Sequence, residues 1–247
     1  MRVWVASAVF YFTCFAVAEV LRWVVRTFVP KPSNSLTVQL LNEFIGTLQI
    51  CTPMFDVGTV LEHYGLFGVF IEITVIELAN CYMIRDCIAS PCPIVTTCYR
   101  KGKIFRRAIY VILVQMFAAF VSYHLARRFF SIGLHPVHLE VASSTECNTD
   151  LSVALTTGAL IEGLAVFMGK AVETVASDRY QDSWLQYVVN SSFAGFICAL
   201  GINYTGLYGN PIVASACTFN CLGVSHIGHL AVYWASPIAA WCVAALC

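Results

Sequence analysis

The sequence predicts an all-α membrane protein. An extra N-terminal hydrophobic helix precedes a six-helix core of two inverted three-helix repeats, each with a re-entrant half-helix. Three observations lead there. The 247 residues are 59% hydrophobic and 11% charged, with mean hydropathy +0.75, where soluble domains carry about twice that charged fraction. Seven apolar stretches approach or exceed the roughly 20 residues that cross a bilayer. One order of features, a mid-span glutamate, a further span and then a proline element, occurs twice.

The stretches run over residues 3–25, 36–57, 64–83, 104–130, 151–172, 184–204 and 227–247. Ala-Val-Ala at 16–18 has the form of a signal-cleavage site. Arg22, Arg26 and Lys31 follow it, however, and such charges belong on the cytoplasmic side. With a lumenal N-terminus and alternating spans, these three join Arg85, the five basic residues of Tyr99–Arg107, Lys170 and Arg179 on the cytoplasmic side. That is eleven of the fourteen Lys and Arg; Arg2, Arg127 and Arg128 face away. Cleavage would invert this pattern. The first stretch is therefore read as a retained helix with its linker (residues 1–35), followed by a channel core (36–247). Repeat one covers about 36–130 and repeat two about 150–247. The last stretch runs to Cys247, so no cytoplasmic tail is expected.

Glu43 lies in the first core span and Glu162 in the fourth. A carboxyl group inside a span is costly and faces the bundle interior or a cavity. The proline elements are Ser90–Cys98 (SPCPIVTTC) and Gly209–Cys217 (GNPIVASAC). Both contain Pro-Ile-Val. That match makes Cys92-Pro93-Ile94 the counterpart of Asn210-Pro211-Ile212; Ser90-Pro91, with a better capping residue, is the alternative. Asn before Pro reads as a helix cap followed by the first helical turn. Repeats with an odd number of spans insert in opposite senses, and matching interrupted segments mark a transport site near the midplane. Two half-helix N-termini meeting there carry about half a positive charge each. They repel cations while their free donors bind a neutral solute.

Other features point away from chemistry. Net charge is zero, with no basic arm for nucleic acid and no glycine-rich phosphate loop. His226 and His229 are spaced i, i+3 but have no third metal ligand near them in sequence; they are expected to be interfacial, and His135 and His138 to be solvated in a loop. Glu72 and Glu77 are expected to cap backbone or contact Asn80. Most of the twelve cysteines lie in apolar runs as small core residues. Cys147, in a polar loop, is the exception and is free to meet another loop cysteine. Asn203-Tyr204-Thr205 is a glycosylation sequon too close to the membrane to expect occupancy, and Asn190-Ser191-Ser192 lies within a span. No metal, cofactor or enzymatic activity is expected.

At this point residues 36–247 resemble the aquaporins. The resemblance rests on Thr-Gly-x-x-x-Asn-Pro at Thr205–Pro211, Glu-Phe-x-x-Thr at Glu43–Thr47, and Glu162. The departures resemble the unorthodox subgroup (superaquaporins): no Asn in the first signature, Val213 where an arginine usually stands, Val232–Pro237 (VYWASP), Cys147 before the fourth core helix, and the extra N-terminal helix. The resemblance implies passive passage of water, glycerol and hydrogen peroxide. It also implies an outer constriction at Phe70 or Glu72, Cys198, Leu207 and Val213, loop support by Glu43 and Glu162, homotetramers, and an intracellular membrane such as the endoplasmic reticulum. The alternative it leaves is a closed or vestigial pore in a structural or interaction protein of such a membrane.

Overall fold

Gly65 turns the longest helical run back on itself. In the computed structural model, which describes residues 1–30, 32, 35–84, 86–101 and 105–245, residues 36 to 83 are helical nearly throughout. They form α2 (Leu36–Cys51), a 3-10 turn (Pro53–Asp56) and α3 (Val57–Met83). A straight helix would place Gln49 and Asn80 about 45 Å apart at 1.5 Å per residue. Instead Gln49 Nε2 donates to Asn80 Oδ1 at 2.9 Å, so the chain reverses between them. Gly65 has φ 63° and ψ −164°, a region open in practice only to glycine. The first core span therefore extends to residue 64, and the second runs from 66 to 83. Residues 58–63, expected as a connection, are helical, because Pro53 opens a 3-10 turn rather than ending the helix.

Among the described residues, six helical runs are long and apolar enough to cross a membrane. One of them is this 48-residue hairpin, which supplies two crossings, so seven result. The remaining elements are α1 (Val3–Phe28), α4 (Pro91–Lys101), α5 (Phe105–Phe130), α6 (Pro136–Ser143), α7 (Leu155–Arg179), α8 (Ser183–Thr205), α9 (Pro211–Thr218), α10 (His226–Leu230) and α11 (Ser236–Ala244). A π turn over Ala231–Ala235 links the last two; Pro237 follows it and lacks the N–H that an α ladder needs. Lys31, Arg85, Lys103, Ile104 and Cys247 of the sequence reading lie outside the described residues.

Each half-helix leans on the other repeat: α4 packs on α11, and α9 packs on α2 and α5. The α3–α8 and α2–α5 contacts hold the bundle together. Helix α1 is part of this body. Ala18 and Val25 pack with Val38 and Ile45 of α2, and Phe10 packs with Ala126 and Phe130 of α5. Some of its polar residues face inward as well, Ser7 and Arg22 among them. Arg22, expected on the cytoplasmic flank, is buried; it donates to Gln49 Oε1 at 2.6 Å and to Glu19 at 2.5 Å. Tyr11 bonds both Asp56 (3.0 Å) and Glu72.

The Gly65→Ala variant isolates the hairpin's backbone requirement. An added Cβ would meet nothing within 4 Å, so only the positive φ is penalised, by about 1–3 kcal/mol. Thermal unfolding in detergent is expected to drop by roughly 3–10 °C.

Candidate functional site

Two buried glutamates build two matching loops. Glu162 on α7 accepts three hydrogen bonds: from Thr205 Oγ1 (2.8 Å) and Tyr208 N (3.2 Å) at Oε1, and from Gly209 N (2.9 Å) at Oε2. Thr205 Oγ1 accepts in turn from Leu207 N at 3.1 Å. Left-handed backbone at Gly206, Leu207 and Gly209 (φ 79°, 44° and 57°) bends the chain around the carboxyl group. Asn210 then caps α9, its Oδ1 accepting from Ile212 N at 3.1 Å. In the first repeat, Glu43 accepts from Ile88 N (2.9 Å), Ala89 N (3.0 Å) and Gln115 Nε2 (2.9 Å). The loop-support residues of the sequence reading thus sit against the loops they were assigned to.

The register of the first signature needs correcting. Helix α4 begins at Pro91, and Ser90 Oγ accepts from Cys92 N at 3.4 Å, as Asn210 does from Ile212 N. Ala89 (φ 49°) matches Gly209 (φ 57°). The counterpart of Asn210-Pro211 is therefore Ser90-Pro91, not Cys92-Pro93-Ile94. The reason is capping: a serine oxygen before the first helical proline accepts well, and a thiol does so weakly. Pro93 falls within the first turn, where a missing N–H has no intrahelical partner to lose. The shared Pro-Ile-Val is displaced by two residues from structural equivalence.

The two loops touch. Asn210 Nδ2 donates to the Ala89 carbonyl at 2.9 Å. Beside this contact runs a cavity of about 710 Å³, lined at one end by Asp150 and Gly206–Tyr208 and at the other by Lys170, Glu173 and Trp241. Ser90, Cys92, Asn210, Cys198, Leu207 and Val213 all line it. Phe70 and Glu72 are not in this lining. Ile73, one turn further along α3, is, while Phe70 lies beside Phe67 and Glu72 turns to Tyr11. Counting back from a signature does not register how a helix is rotated. Ile73, Cys198 and Leu207 pack together as an apolar group, and Val213 adds to the wall.

Beside the Asp150 end of the cavity, called outer here, two loops are stitched together. Cys147 and Cys221 form a disulfide with Cα atoms 4.9 Å apart, so Cys147 does meet a loop cysteine. Thr149 N donates to Leu222 O (2.8 Å) and Leu222 N to Cys147 O (2.9 Å). Tyr208 bonds Asp150.

Of the four histidines at 135, 138, 226 and 229, His138 and His229 depart from expectation, while His226 is exposed. His138 is buried, with Nε2 at 2.9 Å from Asp56 Oδ1 and its ring stacked on Phe130. His229 is buried against Phe219 and Tyr233. Short helices α6 and α10 carry them inward. Among the described residues, no group of three or more His, Cys, Asp or Glu could hold a metal.

No family model matches the chain. It is similar to an aquaporin-11 from Milnesium tardigradum, 23% identical over 227 residues (90% of this chain, 79% of that one). It is also similar to a putative aquaporin-10 from Caenorhabditis elegans, 26% identical over 239 residues (95% and 83%). Among solved structures, an aquaglyceroporin from Plasmodium falciparum matches with TM-score 0.57 at 16% identity, covering 86% of this chain and 93% of that one. The likeness to that structure shows a common fold.

Proposed function

We propose that the chain, similar to an aquaporin-11 and a putative aquaporin-10, is a member of the aquaporin family in its unorthodox subgroup and a passive membrane channel for water and small neutral solutes. Glycerol and hydrogen peroxide are the solutes proposed beyond water. The observation that carries the reading is the Asn210–Ala89 contact beside a cavity of about 710 Å³. One Nδ2 proton of Asn210 holds the loops together, which leaves the other for a passing oxygen. The half-helix N-termini supply positive potential without a charged side chain. Val213 stands where the family's arginine would, so Ile73, Cys198, Leu207 and Val213 form an apolar wall on the outer side. Such a wall favours neutral solutes over ions and discriminates less sharply for water alone.

The same reading places the protein in an intracellular membrane, the endoplasmic reticulum first, as a homotetramer, with no enzymatic step. Immunolocalisation and mass measurement of the detergent-solubilised protein test those two points.

Stopped-flow light scattering of proteoliposomes tests the channel. Asn210→Asp sets a second acceptor against the Ala89 carbonyl and places negative charge at the loop junction. Water and peroxide flux are expected to fall at least about tenfold, the factor for roughly 1.4 kcal/mol. Unchanged flux would count against the pore. Wild-type liposomes no leakier than empty ones would favour the closed-pore reading instead.

A further inference from the structure

The inner half of the cavity is polar in a way the loops do not explain. On the outer side, every residue from Gly206 to Asn210 lines the cavity, which brings a run of backbone groups to it. The first loop contributes only Ser90 and Cys92. Its Ile88 and Ala89 amides are held by Glu43, and the Ala89 carbonyl is held by Asn210. Most polar side chains of the inner half therefore come from the helices, Glu173, Ser177 and Gln186 toward its mouth and Glu77, Asn190 and Ser191 deeper in. Helix α3 directs Ile73, Glu77 and Cys81 to the cavity, one stripe at i, i+4 spacing. Opposite, α8 directs Asn190 and Ser191 to it. Cys81 Sγ lies 3.9 Å from Ser191 Oγ, which sets the two stripes at one level. Asn190 Oδ1 is buried and has no hydrogen-bond partner. Glu77 stands one turn inward of Ile73, just past the apolar wall, with its carboxyl group against the Asn80 side chain, as the sequence suggested, and also in the cavity lining. A carboxyl group at that depth is costly unless a cavity or partner uses it.

We infer that Glu77 is a specificity-determining residue of the pathway, the acceptor that lets hydroxyl-rich neutral solutes of the glycerol class cross the inner half, with Asn190 as its partner acceptor. The inference rests on the channel reading above. A polyol sheds several hydration bonds at the apolar wall and regains them only where acceptors face it. Water, with two protons, needs fewer. Loss of the acceptor therefore penalises the polyol more than water.

The test is paired water and glycerol permeability of proteoliposomes holding wild type, Glu77→Met, Glu77→Gln or Asn190→Leu, each first checked as a monodisperse peak. Glu77→Met keeps the volume and removes the acceptor. Glycerol flux is expected to fall about tenfold, the scale of losing one hydrogen bond, while water flux changes by less than about twofold on the same scale. Glu77→Gln, which keeps an acceptor oxygen, is expected to restore most of the glycerol flux. Asn190→Leu is expected to lower the glycerol-to-water ratio by a smaller factor, and it tests the acceptor pair should Glu77→Met fail to fold. A conducting wild type whose ratio survives the Met and Leu changes overturns the role of Glu77 and leaves the channel standing. A wild type that conducts neither solute overturns both.

Discussion

Replacing Glu162 with leucine is expected to prevent the second re-entrant loop from forming and to abolish solute flux. The carboxyl group accepts from Thr205, Tyr208 and Gly209, and Glu162 is 0% exposed. Leucine would leave one buried donor (Thr205 Oγ1) and two partly buried amides without a partner, at up to about 1–3 kcal/mol each. The sum approaches the whole stability of an ordinary domain, roughly 5–15 kcal/mol. Glutamine would do only partly better. Its oxygen can replace one carboxylate oxygen, but its NH₂ group would then face another donor. Yield of monodisperse protein and its unfolding temperature in detergent are expected to rank wild type, then Glu162→Gln, then Glu162→Leu. A leucine variant that purifies and conducts like wild type would show that the loop is held by packing alone. Glu43→Leu is the parallel experiment on Ile88, Ala89 and Gln115.

These glutamates could be read from the chain because a carboxyl group inside an apolar span has few inexpensive placements. Asn210-Pro211 was readable for a similar reason, since a cap followed by proline has one good structural meaning. The first loop was harder because two prolines stand two residues apart. Pro91 and Pro93 both fit a first helical turn, and the repeated Pro-Ile-Val favoured the wrong one. The decisive physics was the difference between a serine oxygen and a thiol as cap acceptor.

What stayed hidden was mostly tertiary. The reversal at Gly65 needs ψ as well as φ, and a glycine in an apolar run announces neither. His138 looked like a loop residue because its partner, Asp56, is 82 positions away. Arg22 looked like a cytoplasmic marker; only the packing of α1 on α2 brings Gln49 within reach. Ile73 and Glu77 obeyed a visible i, i+4 spacing, but which stripe of α3 faces the cavity depends on how α8 packs against it.

Cys221→Ser is expected to cause the largest loss of stability away from the buried glutamates. The Cys147–Cys221 bridge joins residues 74 positions apart. On the chain-entropy account, closing a loop of that size stabilises by about 4 kcal/mol. For a chain of this length that corresponds to roughly 10 °C of unfolding temperature. The effect should reach the pathway, because the bridge sits just past α9. Thr218 Oγ1 donates to Thr149 Oγ1 at 3.0 Å, and Leu222 pairs with residues 147 and 149. Loosening that seam frees the end of the half-helix whose start is Asn210. Cys147→Ser should lose the same amount, and the double variant no more than either single one, because one bond is removed once. Scanning fluorimetry under non-reducing conditions reads all three. Additive losses would mean that the two cysteines stabilise the protein separately, and the seam would then rest on its backbone hydrogen bonds rather than on the disulfide.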